Sequence, residues 1–193
     1  MADNIKIKTP RGEALWPSLY RTNTYKGVDS GKYTCKIVFT GEALEEMKKL
    51  INDALEEAYG PKKAAAVWAS DKPPIKTKDG KSYVAFSTKA VTQDGKARKV
   101  AIWDAKGRMV ERELNIGSGS VIKIAGTMGL FPPKDPGVAF YLDAVQVIKL
   151  VEYKGGPSFE EEDDADAFDS DEFDGAAHEG HEEAKTSHGR GDF

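Results

Sequence analysis

Histidine is missing from the first 154 residues, and the chain's three, His178, His181 and His188, all fall in the last 39. That absence removes the usual general base, the Ser-His pair and the His-ligated metal from any chemistry in the body of the chain. His178-Glu-Gly-His181 falls one residue short of the His-Glu-x-x-His zinc motif, and its glycine in a polar tract does not suggest a helix. No GxxxxGK[ST] and no GxGxxG is present, and Gly117-Ser-Gly-Ser120 reads as a flexible turn. No metal and no cofactor is expected. One cysteine, Cys35, excludes an internal disulfide framework and fits a reducing cytoplasm. No apolar run approaches the roughly 18 residues of a membrane span. The opening MADNIKIKTPRGEAL lacks the apolar stretch of a signal peptide.

Charge is plentiful but unevenly placed. Of 32 acids and 28 bases, 14 acids and only two bases lie after residue 154, so a body of net +8 precedes a segment of net −12. A basic body joined to an acidic segment points to a polyanionic partner and a regulatory or interaction tail. Residues 1–154 are long enough for one domain with a proper core. Residues 155–193 are too acidic and too poor in aliphatics to fold alone and are expected to stay disordered.

Along the body, residues 1–30 read as a short strand or an extended lead, with loops. Residues 31–40, GKYTCKIVFT, alternate: Tyr33, Cys35, Ile37 and Phe39 share one face of a half-buried strand. The period then changes. Residues 42–59 place Leu44, Met47, Ile51, Leu55 and Ala58 at helical spacing, and Gly60-Pro61 stops the run. Residues 62–74 are open to a short further helix ending at Pro73-Pro74. Strands follow at 81–92 (between the turn signals Asp79-Gly80 and Asp94-Gly95), 99–103, 108–114, 121–131 and 138–153, the last as one long strand or as two with a bulge near Asp143. Five or more strands with one inserted helix fit a small Greek-key barrel or a sandwich.

The clear helix carries Glu42, Glu45, Glu46, Asp53, Glu56 and Glu57, a poor surface for phosphates, and no helix-turn-helix, zinc or zipper pattern appears. The bases sit on strands and turns instead: Lys32, Lys36, Lys76, Lys78, Lys81, Lys89, Lys96, Arg98, Lys99, Lys106, Arg108, Lys123 and Lys134. Aromatics run among them, with Trp16, Tyr20, Tyr83, Trp103, Phe131 and Tyr141 as candidate stacking platforms. Lysines for phosphates and aromatic faces for bases hold single strands without reading sequence, each stacked base contributing about 1–3 kcal/mol. The competing reading of each such residue is ordinary: most aromatics in a β-domain are core, and most strand lysines are a solvated face. The tail acids can mimic phosphates, occupy the basic groove and be displaced by a strand. Phe168, Phe173 and the Asp192-Phe193 pair would then be free to anchor partner proteins.

The order of these segments resembles the phage replication single-stranded DNA-binding proteins, which have an OB-fold core and an acidic tail ending in Phe. The likeness rests on GKYTCKIVFT followed by a helix ending EEAYG, on KVAIWDAKGRMVE, on GSGS before VIKIAGTMGLFPP, on YLDAVQVIKLVE and on the closing Gly191-Asp192-Phe193. It implies a mainly β, OB-fold-like five-stranded Greek-key barrel over 1–154, with one inserted amphipathic helix at about 42–59. It implies a non-enzymatic protein in the host bacterial cytoplasm that coats and protects single-stranded DNA in replication and recombination and promotes annealing. The phage DNA polymerase and helicase-primase would be met through the tail and Phe193. A homodimer with exchanged tails is compatible with it.

Three other readings stay open at this level. One is an RNA-binding or RNA-chaperone module, for which the 2′-hydroxyl discriminates. Another is a metal-dependent nuclease using Asp104, Glu111, Glu113 or Asp143. The third is an interaction protein whose tail mimics DNA.

Overall fold

A computed structural model describes residues 4–153; residues 1–3 and 154–193 lie outside the described residues, and with them the expected disordered tail, the three histidines, Phe168, Phe173, Asp192 and Phe193. The elements are β1 (Asn4–Lys8), β2 (Gly12–Ser18), β3 (Thr24–Tyr25), β4 (Val28–Asp29), β5 (Lys32–Phe39), α1 (Gly41–Tyr59), α2 (Pro61–Trp68), β6 (Lys76–Lys78), β7 (Lys81–Lys89), β8 (Ala101–Trp103), β9 (Val121–Leu130) and β10 (Val138–Lys149).

Five of these strands close on themselves. Antiparallel pairs join β2 to β5 and β5 to β7, a parallel bridge joins β7 to β10, and antiparallel pairs join β10 to β9 and β9 to β2. The order around the ring is first, second, third, fifth, fourth, the Greek-key barrel of an OB-fold rather than a sandwich. Three more strands of the same sheet sit outside the ring, β1 beside β9, β6 beside the start of β7, and β8 parallel to the later half of β10, while β3 and β4 pair only with each other.

Period-two alternation fills the barrel. Cys35, Ile37 and Phe39 of β5, Val84 and Phe86 of β7, and Ile122, Ile124 and Met128 of β9 are buried in one cluster. On β10 the inward phase slips: Phe140 and Leu142 point in, then Val145 and Val147. The pairing with β9 shifts between Leu142 and Ala144, as a one-residue bulge requires. Beside it, any side chain at Gly126 would strike the Tyr141 carbonyl oxygen and come within 3.2 Å of the Phe86 ring, so only glycine lets these strands close there.

The helical insertion is two helices rather than one. Gly60, at φ 78°, caps α1 by donating its N–H to the Glu56 carbonyl, and Pro61 opens α2. Thr40 gives α1 no side-chain cap. That omission costs about 1 kcal/mol, while burial of Met47, Ile51 and Leu55 stabilises the helix by about 1.5–3 kcal/mol each.

Two sequence expectations are corrected. Residues 1–30 hold two ring-associated strands and a small β3–β4 hairpin, not a loose lead. Residues 108–114 are not a strand: Met109 makes a single bridge to Trp103, and the charged run Glu111-Arg112-Glu113 finds no ladder partner. The preceding strand is likewise cut to Ala101–Trp103.

Candidate nucleic-acid interface

The outward faces of β5, β7 and β6 form one basic sheet surface. Register places Lys36 opposite Ala85, Tyr83 opposite Lys76, Lys78 opposite Lys81 and Lys32 opposite Lys89. The β6–β7 turn that brings Lys76 and Lys78 onto this sheet is the two-residue Asp79-Gly80 loop, both residues at positive φ (53° and 74°). Among the described residues none of Lys36, Lys76 and Lys78 makes an ion pair. Partial burial, then the neighbouring Lys78 and Lys76 ammonium groups, hold the Lys36 amine below the usual lysine range. This is a cluster of positive charge without a compensating acid, the condition a phosphate chain relieves.

Aromatic rings flank that cluster. The Lys36 Nζ lies 4.5 Å from the Trp16 ring centroid and 5.1 Å from that of Tyr83. Trp16 is 60% exposed and adopts φ 49°, a left-handed conformation that is strained for a bulky residue. Its position falls where the β2–β5 pairing slips between Leu15 and Ser18. The Ser118 hydroxyl accepts its backbone N–H at 3.0 Å, so the Gly-Ser-Gly-Ser turn holds the slipped backbone in place. The ring is thereby turned out over Lys36 instead of into the core.

The surface continues into an open groove of about 480 Å³ beside β7, where Lys72, Lys76, Ala85, Ser87, Phe131 and Tyr141 line the walls and floor. Phe131 and Tyr141 are 43% and 44% exposed. Both helices brace the turn that carries Phe131: the Tyr59 hydroxyl donates to the Phe131 carbonyl, and Lys63 donates to the Pro133 carbonyl at 3.0 Å. From β2 to β10 this face crosses three inter-strand steps of about 4.8 Å each.

Other residues singled out in the sequence lie at the ends of this surface or away from it. Lys32 and Lys89 stand at the far end of the β5–β7 pair, and Lys81 at its beginning. Lys96 pairs with Asp94 at 3.1 Å, and Arg98 donates to the Thr88 hydroxyl at 2.7 Å. Lys99 and Lys134 are exposed in loops. The Tyr20 hydroxyl donates to the Arg112 carbonyl, its ionisation pushed up by burial and then by Glu113, in a separate groove that also holds Glu113. Trp103, Lys106, Arg108 and Lys123 occupy another side of the barrel, on β8, the turn after it, and β9. Of the four carboxylates weighed for nuclease chemistry, Asp143 pairs with Lys6 at 2.8 Å and Asp104 with Arg108 at 2.7 Å, while Glu111 and Glu113 lie in the segment after β8. Among the described residues no three acids, histidines or cysteines gather at metal-binding distance. No helix among them is long and apolar enough to cross a membrane. The sequence reading missed Lys72, Ser118 and Tyr59. None stands in an alternating basic-aromatic run, and their roles arise from tertiary placement alone.

No family model matches the sequence, and no curated protein matches it by sequence. Solved structures do. The fold is similar to gp2.5, a single-stranded DNA-binding protein encoded by bacteriophage T7, with a TM-score of 0.58 and 20% identity, covering 95% of this chain and 100% of that one. It is also similar to the single-stranded DNA-binding protein from bacteriophage Enc34 in complex with single-stranded DNA, with a TM-score of 0.53 and 13% identity, covering 78% of this chain and 89% of that one. At these identities the likeness is one of fold.

Proposed function

We propose that this chain is a non-enzymatic single-stranded DNA-binding protein of phage replication, and that the strand crosses the outward face of β5 and β7. The observation that carries the reading is the Lys36 amine held between the exposed Trp16 ring and Tyr83, beside Lys76 and Lys78. In an OB-fold this face, with the loop between the fourth and fifth strands, is where oligonucleotides lie. Here that loop presents Phe131. Phosphates would meet Lys36, Lys72, Lys76 and Lys78, and bases would stack on Trp16, Tyr83, Phe131 and Tyr141. Such contacts read no base edges, so the protein would coat strands of any sequence, protect them and open hairpins for annealing. Support from the comparisons is the shared fold with two phage proteins whose names state single-stranded DNA binding.

The acidic segment 155–193 completes the proposal. Its 14 acids would compete with DNA for the basic face. Once displaced, Asp192, Phe193, Phe173 and Phe168 would contact the phage DNA polymerase and helicase-primase in the host cytoplasm.

Fluorescence titration of oligo-dT into wild type and Lys36→Ala tests the face. The variant is expected to keep its fold and bind several-fold more weakly. Equal affinity would remove this face from the reading. Tighter binding of RNA than of DNA of the same sequence would turn the proposal toward RNA.

A further inference from the structure

We infer that the barrel carries a second single-strand contact, centred on Trp103, on the side of the ring away from Trp16 and Tyr83. The inference rests on the proposed function and adds a separate site to it.

Topology separates the two places. In a ring ordered β2, β5, β7, β10, β9, the strand across from the β5–β7 pair is β9. Outward side chains of β9 therefore face away from Lys36 and Tyr83. Pairing then assembles a surface there from four strands. One row runs Trp103, Gln146, Lys123 across β8, β10 and β9; the next runs Ala101, Ala144, Ala125, Lys8 across β8, β10, β9 and β1. The adjacent Ala144 and Ala125 leave a shallow floor. The depression above it is about 410 Å³, with Trp103 at one side and Lys8 and Lys123 at the other. Its width is set by strand spacing, so ring and amines stand about two to three steps of 4.8 Å apart.

The charge of this surface is positive and largely free. Among the described residues Lys8 and Lys123 make no ion pair. Two acids on adjoining elements, Asp104 and Asp143, are already occupied, while Glu13, opposite Val121 at the end of β9, makes no ion pair among the described residues. Asp104 accepts the backbone N–H groups of Lys106 and Arg108 at 2.9 Å and pairs with the Arg108 guanidinium. The Arg108 N–H and side chain, with that of Lys106, hold its carboxyl below the usual range. Asp143 is tied to Lys6 and Thr127. Gln146 donates to the Asp104 carbonyl at 3.1 Å, fixing the turn that carries Lys106 against β10.

Trp103, 37% exposed at the end of a three-residue edge strand, is not that strand's core residue, which is Ile102, and it leaves part of its ring open on this surface. A second copy of this chain is a poor occupant, because face-to-face pairing would bring Lys8, Lys106 and Lys123 against their own counterparts. A single strand fits on both counts: phosphates answer the free amines, and a base covers the ring. One molecule would then hold two separated segments of single strand. A long strand would pass around the barrel, and two short ones would bind independently.

The test is stoichiometry. The full-length chain is titrated to saturation at low salt with an oligo-dT of about six nucleotides, within the range an OB-fold covers, and complexes are counted by native mass spectrometry. Wild type is expected to take two oligonucleotides. Trp103→Ala, and separately Lys8→Glu with Lys123→Glu, are each expected to take one, with the second affinity weakened about 5- to 150-fold for the lost stack. Trp16→Ala is expected to lose the other. The charge variant lies wholly on solvent-facing positions, so loss of fold cannot mimic its effect. Two oligonucleotides on Trp103→Ala and on the charge variant would overturn the inference. So would a wild type that takes one, lost in Trp16→Ala, with the front face left standing. One that is lost only with Trp103 would support this contact and remove the front face instead. Quenching of Trp103 by a peptide of residues 159–193 but not by oligo-dT would overturn the inference in favour of the acidic segment as occupant.

Discussion

Trp16 holds a backbone conformation that costs about 1–3 kcal/mol for a non-glycine residue, and its ring buries little in return, at 60% exposure. Strain of that kind persists where the ring is wanted outside. Trp16→Gly is therefore expected to leave thermal stability equal or higher while weakening oligo-dT binding about 5- to 150-fold, one stacked base. Melting and titration of the same sample check both halves. A variant that loses stability in step with affinity would make Trp16 a packing residue. Cys35 shows the opposite case of a side chain with no part in binding. It is fully buried, and burial pushes its thiol from the ordinary 9.0 up to about 12. A folded-state value raised in this way leaves stability intact below pH 9 and erodes it above, since only the unfolded chain ionises there. The loss is about 1.4 kcal/mol per pH unit until the folded thiol titrates. Denaturant melts between pH 8 and 11 should show a decline that Cys35→Ala lessens. An identical decline in that variant would place the pH sensitivity elsewhere.

At the scale of elements, the helical insertion acts on the site at a distance. Tyr59 at the end of α1 and Lys63 in α2 hold the β9–β10 turn by its carbonyls and so fix where Phe131 stands. Tyr59→Phe removes the hydroxyl that the Phe131 and Gly137 carbonyls share, at about 1 kcal/mol per hydrogen bond. It is expected to weaken oligo-dT binding several-fold although no DNA-facing side chain changes; a lowered melting temperature with unaltered affinity would reduce α1 to a stability role. Elements were legible in the sequence where one pattern ran without interruption. The alternation of Tyr33 to Phe39 predicts the buried Cys35, Ile37 and Phe39, though Tyr33 is half-buried and the outward-read Val38 is buried; the helical spacing predicts the buried Met47, Ile51 and Leu55, with Leu44 and Ala58 half-buried. For β10 the sequence left one long strand or two with a bulge near Asp143, and the structure has a single strand whose pairing shifts at that residue. β2 was not legible, because Trp16-Pro17 breaks its alternation at the residue the structure turns outward. Residues 108–114 misled in the other direction: Met109, Val110 and Leu114 look strand-like, but only Met109 and Val110 bond back to the short β8, and no ladder extends beyond them.

Across the whole molecule, the contrast between a +8 body and a −12 tail was readable directly from composition. What composition could not show was how closure of the barrel sorts the basic residues. Lys36 and Lys123 are equivalent as outward strand lysines in a linear reading, and only the ring order sends them to different sides. The same closure explains why Lys8, the last residue of NIKIK, joins Trp103 rather than Trp16. The most direct measurement of the central claim is a salt series of oligo-dT titrations on the full-length chain. It is run beside Lys36→Ala with Lys76→Ala and Lys78→Ala, and beside a form with Glu160, Glu161, Glu162, Asp163 and Asp164 converted to amides. For single strands the slope of log affinity against log salt is about −0.7 per phosphate contact. The account predicts steep salt dependence for the wild type, a slope shallower by about 2 for the triple lysine variant, and tighter low-salt binding by the tail variant. A slope that the three lysines leave unchanged, or tail acids whose removal alters nothing at low salt, would contradict it.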